Sequence, residues 1–168
     1  MIDIIIPTYK PDIYLLECLT SIERQNLSFS NFKVTIILNG TKEPYFSNIK
    51  SILSKFNFFS NLIYTNEKGV SNARNLGLEK TNNPYILFID DDDLLSENYL
   101  ENLLLLIDSN AIVVSNVLGF QDNRKNIIKD YLSFDRNFKS SNLVRYRRYL
   151  SNSCCKLIPR KVIGDTRF

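Results

Sequence analysis

Tyr85-Ile86-Leu87-Phe88-Ile89 runs straight into Asp90-Asp91-Asp92-Asp93. Five consecutive apolar residues read as a strand buried on both faces, and the carboxylates begin where that strand leaves the core. Four adjacent acidic side chains repel one another unless a cation compensates them. Favouring the N-terminus of a following helix would take one such residue, or two. Four of them abutting a buried strand suit a hard divalent cation, Mg²⁺ or Mn²⁺, of the kind that also holds phosphates. Alternation along an extended chain would aim Asp90 and Asp92 to the same side.

The same grammar extends in both directions. Asp3-Ile4-Ile5-Ile6, closed by Pro7, is a short buried strand, and so are Val34–Leu38, stopped by Asn39-Gly40, and Leu62–Thr65. Between them lie stretches with helical spacing: 13–25 behind Asp12 as N-cap, 45–56, 70–79 behind Gly69, and 97–108 behind Ser96. A fifth strand begins at 111–114, and 154–158 reads as one more, ended by Pro159. This fourfold β–α alternation predicts an α/β fold, a mostly parallel sheet flanked by helices. Ligands of such sheets sit at the carboxyl ends of the strands. Four segments collect there: Pro7-Thr8-Tyr9, Asn39-Gly40-Thr41, 66–74 and the aspartate run. Within the third, Gly69 lets backbone N–H groups approach an anion, and Arg74 offers a fork for a phosphate or a base carbonyl. Neither Gly-Lys-Ser/Thr nor Gly-x-Gly-x-x-Gly is present, which argues against a Walker loop and a dinucleotide site.

Composition narrows the chemistry. The 168 residues suit one domain. The absence of His removes His-dependent triads and His zinc sites. Cys18, Cys154 and Cys155 form neither a disulfide framework nor a zinc spacing, so they are expected as free thiols in a reducing cytosol. No apolar run approaches the roughly 20 residues that span a bilayer, and the first residues lack the features of a signal peptide. A cytoplasmic protein is therefore expected. Charge is lopsided: residues 1–123 carry 9 Lys/Arg against 15 Asp/Glu, and residues 124–168 carry 12 against 3. The acidic front and basic tail suggest two different tasks.

Four of these segments together resemble the family 2 glycosyltransferases of the GT-A fold. Ile6-Pro7-Thr8-Tyr9-Lys10-Pro11 is similar to the family's first turn. Leu19-Thr20-Ser21-Ile22-Glu23-Arg24-Gln25 resembles its Leu-x-Ser-x-x-x-Gln helix. The stretch 69–77 resembles Gly-x-x-x-Ala-Arg-Asn-x-Gly, and Phe88–Asp93 resembles Phe-Leu-Asp-x-Asp-Asp. The resemblance covers roughly residues 2–120. It implies a Rossmann-like GT-A core over 1–120 that binds a nucleotide-sugar donor, with 121–168 as the basic start of an acceptor-side region in the same domain. It also implies that Pro7, Thr8 and Tyr9 lie along the base, that Arg74 contacts base or diphosphate, that Asp90 binds the ribose with Asp91 in the donor-binding set, and that Asp92 ligates Mn²⁺ or Mg²⁺. The cation would neutralise the leaving diphosphate.

Two departures bear on substrate and mechanism. Where the family has Asp-Asp-Gly-Ser, this chain reads Leu38-Asn39-Gly40-Thr41, so Asn39 keeps an acceptor oxygen for a uracil N–H but not the charge. UDP is the favoured donor nucleotide. The family's catalytic base lies downstream of an Arg-Phe-Asp-Glu-like stretch, whose beginning Gly164-Asp165-Thr166-Arg167-Phe168 resembles. The base is therefore expected beyond Phe168. The reading is a metal-dependent inverting glycosyltransferase of bacterial surface polysaccharide synthesis, with a glycan or lipid-linked acceptor and no nucleic-acid partner. Arg145, Arg147 and Arg148, interleaved with Tyr146 and Tyr149, suggest peripheral contact with the inner face of the membrane. Two alternatives stand beside it. A sugar nucleotidyltransferase would want a Gly-rich basic loop where this chain has Pro7 and Pro11. A non-catalytic nucleotide- or glycan-binding module would need no base.

Overall fold

The computed structural model describes residues 1–121, 126–132 and 153–168. The order of elements is β1 (Ile2–Thr8), α1 (Ile13–Glu23), β2 (Phe32–Asn39), α2 (Tyr45–Leu53), β3 (Ser60–Thr65), α3 (Val70–Glu79), β4 (Tyr85–Phe88), α4 (Tyr99–Leu105), β5 (Val113–Val114), the hairpin β6 (Val117–Gln121) and β7 (Asn126–Leu132), then β8 (Lys156–Pro159) and one helical turn, Arg160–Ile163. The main sheet runs β3-β2-β1-β4-β8-β5. Its first four strands are parallel, and β8 is antiparallel to both of its neighbours.

Strand alternation divides the core in two. Ile2, Ile4 and Ile6 of β1, Val34, Ile36 and Leu38 of β2 and Leu87 of β4 face Leu15, Leu19 and Ile22 of α1, Ile49 of α2, and Leu100 and Leu103 of α4. Ile5, Ile37, Ile86 and Phe88 share the other face with Ala73 and Leu78 of α3. Burial on both sides explains why these strands read as unbroken apolar runs. Gly77 lets α3 settle on β1: a Cβ there would lie 2.4 Å from Ile5 Cγ2.

The chain moves outward from β1 through β2 to β3, then returns to the other side of β1 with β4. The crevice at such a reversal, beyond the carboxyl ends of the strands, is where sheets of this type take ligands. The ends of β1 and β4 flank it here.

Two expectations shift. The helix expected over 97–108 spans Tyr99–Leu105 and makes no cap hydrogen bond through its own N-cap, Asn98. A distant residue supplies the cap instead: Gln25 Oε1 accepts from Leu100 N at 2.9 Å, while Gln25 Nε2 donates to Ser96 O at 2.8 Å. Pro159, expected to terminate a strand, is the last paired residue of β8, opposite Tyr85. Among the described residues no helix is long and apolar enough to cross a membrane. Arg145, Tyr146, Arg147, Arg148 and Tyr149 lie outside the described residues.

Candidate functional site

A cleft of about 660 Å³ opens at the reversal, lined by Pro7, Thr8, Tyr9, Asn39, Arg74, Asp90, Asp91 and Asp92, together with Lys68, Gly69 and Val70. All eight residues singled out from sequence thus converge on one cavity. They are carried by the ends of β1 and β2, the first turns of α3 and the segment after β4.

The aspartates do not continue as a strand. β4 ends at Phe88, and Asp93 N donates to Asp90 O at 3.1 Å, closing a turn. Period-two alternation therefore lapses, and Asp90, Asp91 and Asp92 all reach the cleft, with Asp92 the exposed member. The turn is braced from α1. Ser21 Oγ accepts from Leu95 N at 3.1 Å, Cys18 Sγ lies 3.8 Å from Asp90 O, and Gln25 holds the chain at Ser96 and Leu100. The Ser and Gln of the α1 motif act through structure: they fix the backbone that presents the carboxylates.

Each carboxylate has a distinct environment. Asp90 Oδ1 accepts from Arg74 Nη2 at 2.7 Å, and Asp91 accepts a short hydrogen bond from the Thr8 hydroxyl. Burial pushes the Asp91 carboxyl up despite that hydrogen bond, and Asp92 adds to the effect. Asp93 is pushed up to about 6, first by burial and then by the charges of Asp90 and Asp92. Arg74 Nε is buried and finds no hydrogen-bond partner among the described residues. The site holds more negative charge than its single paired arginine balances.

Ligand atoms of Asp90, Asp93 and Cys154 lie within 4.8 Å of one another. Asp92, the residue that the family resemblance makes a ligand, faces the cleft but is not one of these three. The carboxylate oxygens, crowded and short of positive charge, fit a hard divalent cation. Cys154 does not add to that fit, because a thiol is a soft ligand that suits neither Mg²⁺ nor Mn²⁺; burial, then the nearby Asp90, pushes that thiol up to about 12. All three cysteines are free thiols.

Asn39 is committed within the chain. Its Nδ2 donates to Thr8 O at 2.8 Å and its Oδ1 accepts from Gly69 N at 3.2 Å, with the side chain almost fully buried. This pair of bonds fixes the amide's orientation and ties the end of β1 to the start of α3. Gly69 takes φ +121°, a conformation that a side chain would strain. Its N–H, expected to face an anion, is spent on Asn39. Lys68 was visible beside Gly69 as an unassigned cation. Cys154 had no local signal, because only β8 beside β4 carries it to Asp90.

The family model described as glycosyl transferase family 2 matches residues 3–166. The minor teichoic acid biosynthesis protein GgaB of Bacillus subtilis is 28% identical over 174 residues, covering 98% of this chain and 19% of its own length. Poly(ribitol-phosphate) beta-N-acetylglucosaminyltransferase TarS of Staphylococcus aureus is 26% identical over 105 residues, 62% of this chain and 18% of TarS. The chain thus spans about a fifth of these relatives. The structure of TarS residues 1–349 in complex with UDP-GlcNAc superimposes with a TM-score of 0.73 at 20% identity, over 98% of this chain and 46% of that one. The mannosyltransferase PcManGT of Pyrobaculum calidifontis, in complex with GDP-Man and Mn²⁺, gives 0.60 at 20% identity over 74% and 36%. These structural likenesses establish the GT-A fold.

Proposed function

Because the chain belongs to glycosyl transferase family 2, we propose that its cleft binds a nucleotide-sugar donor, with UDP as the carrier. In this reading residues 1–120 are the donor half of a metal-dependent inverting glycosyltransferase. Residues 121–168 begin the acceptor side and also lend β8 to the donor sheet. The observation that carries the reading is the convergence of Thr8, Asn39, Arg74 and the aspartate turn on one cleft at the sheet's reversal point. Support for UDP comes from TarS, whose structure is described with UDP-GlcNAc.

Each residue has a part in holding the donor. Pro7, Thr8 and Tyr9 form the wall against which a base lies, and the half-exposed Tyr9 ring offers a face for stacking. Arg74 supplies a fixed cation for the diphosphate. Asp92, with Asp90 and Asp93, would hold Mn²⁺ or Mg²⁺, which supplies charge neutralisation for the departing diphosphate. Asp90, paired with Arg74, would bind the ribose, with Asp91, fixed by the Thr8 hydroxyl, beside it in the donor-binding set. The acceptor is a glycan or lipid-linked chain of a bacterial surface polymer, in keeping with the teichoic acid name of GgaB and the poly(ribitol-phosphate) name of TarS. The net positive charge of residues 124–168 suits work at the inner face of the membrane.

Calorimetry with UDP, with and without Mn²⁺, tests this. The wild-type chain should bind UDP only with the metal, and Asp92→Asn should abolish that binding while leaving the melting temperature equal or higher. Metal-independent binding, or full binding by Asp92→Asn, would remove the assignment of Asp92.

A further inference from the structure

Phe168 returns to α3 and is fixed there by both of its backbone polar groups. Its N–H donates to Asn75 Oδ1 at 3.0 Å, and its carbonyl accepts from Asn75 Nδ2 at 3.3 Å. One side-chain amide thus satisfies both groups. The ring meets the buried Phe88 edge-on, with centroids 5.2 Å apart and planes at 89°. Arg74 Cζ lies 5.7 Å from the ring centroid, within the range where a guanidinium is attracted to an aromatic face.

Arg74 needs such a guide. Its Nη2 pairs with Asp90 and lies 3.8 Å from Cys154 Sγ, while its Nε has no hydrogen-bond partner among the described residues. A guanidinium held at one edge can pivot about that edge unless something restrains its plane. The ring supplies a flat, apolar and electron-rich surface to the plane. Asn75, the next residue on the same helix, fixes the ring's backbone, so ring and arginine share one frame. We propose that Phe168 is a positioning residue for the donor cleft: held by Asn75, its ring keeps the Arg74 guanidinium directed at Asp90 and at the diphosphate position. This rests on the reading of the cleft as a donor site.

The alternative is that the ring merely covers Phe88, and substitutions in the full chain separate the two. Phe168→Leu keeps an apolar cover but removes the π face, whereas Phe168→Tyr keeps both. The first measurement is the dissociation constant of UDP with Mn²⁺ by calorimetry. The half-exposed ring sets a modest expectation: about threefold to tenfold weaker binding for Phe168→Leu and wild-type binding for Phe168→Tyr. The second uses no nucleotide. The ¹⁵N resonance of Arg74 Nε–H, assigned with Arg74→Lys, should exchange with solvent faster in Phe168→Leu and in Asn75→Ala, and at the wild-type rate in Phe168→Tyr. Equal weakening by Leu and Tyr, wild-type UDP affinity in Phe168→Leu, or an unchanged Nε–H exchange rate would overturn the proposal. If the wild-type chain binds no UDP, the donor reading fails and the exchange measurement alone decides the positioning role.

Discussion

Each end of the sheet pairs a carboxylate with an arginine, and the two ends treat the pair in opposite ways. At the amino-terminal edge of the parallel strands, Asp3 is 1% exposed, and its oxygens accept from Asn83 N, Asn83 Nδ2 and Arg160 Nη2 at 2.7, 2.7 and 3.0 Å. Arg160 spends its other donors on Asn83 O, Leu78 O and Thr81 Oγ1. At the carboxyl edge, Arg74 holds Asp90 through one nitrogen and its Nε has no partner among the described residues, while Asp91 and Asp93 are pushed up by burial. A closed network staples the turn after β8 to β1 and to the loop before β4. An open network leaves polar capacity for a ligand to use, at a cost in stability of the empty site.

The comparison breaks most clearly at the closed end. Arg160→Ala leaves the buried Asp3 beside neutral donors among the described residues, and removing the partly exposed partner of such a pair costs about 3 kcal/mol, because the charge left behind is the buried one. Chemical denaturation should show that loss, and the melting temperature should fall by about 6–12 °C. UDP binding by the folded fraction should be unchanged. A fall of under 1 kcal/mol would mean that the network does not staple the fold.

Asn39→Asp probes the join between β1 and α3 behind the cleft. The new carboxylate would still accept from Gly69 N, but it would set an oxygen against Thr8 O where a donor now sits. The expected loss is about 2 kcal/mol, the scale of a buried group left without its partner. UDP affinity should not rise, even though the substitution restores the residue type that the family resemblance associates with reading the base. Tighter UDP binding at unchanged stability would show that the amide faces the ligand instead.

The open end gives the smallest effect and is sharpened by pH. Asp93 titrates near 6 when folded, against 3.8 for an ordinary aspartate. Between those values the native state binds more protons than the unfolded chain, so stability falls as pH rises through that window. The penalty is absent below about 4 and complete above about 6. In metal-free protein at pH 7.5, Asp93→Asn should gain about 1 kcal/mol after allowance for screening, or 2–4 °C in melting temperature. The gain should shrink as pH falls through that window and vanish below about pH 4. A gain independent of pH would place the cause elsewhere than in the charge.

The sequence by itself determined the alternation of strands and helices, because strands buried on both faces must be apolar throughout and helices between them must show a 3.6-residue stripe. It also determined which segments meet at the carboxyl edge, since parallel strands joined by crossovers put all their following loops on one side. Thr8, Asn39, Arg74 and the aspartates were legible for that reason. Tertiary structure decided what these groups do to one another. Local alternation aimed Asp90 and Asp92 together, but a turn braced by Ser21 and Gln25 brings Asp91 in as well. Local capping chose Ser96, but Gln25, distant in the chain, caps α4 at Leu100. Asn39 looked like a free acceptor, but both ends of its amide are bound within the fold. The insertion of β8 beside β4, which delivers Cys154 to Asp90 and Arg160 to Asp3, left no local trace. Periodicity records only whether a side chain is buried, whereas hydrogen-bond partners and charge neighbours depend on which distant segments the sheet order sets side by side.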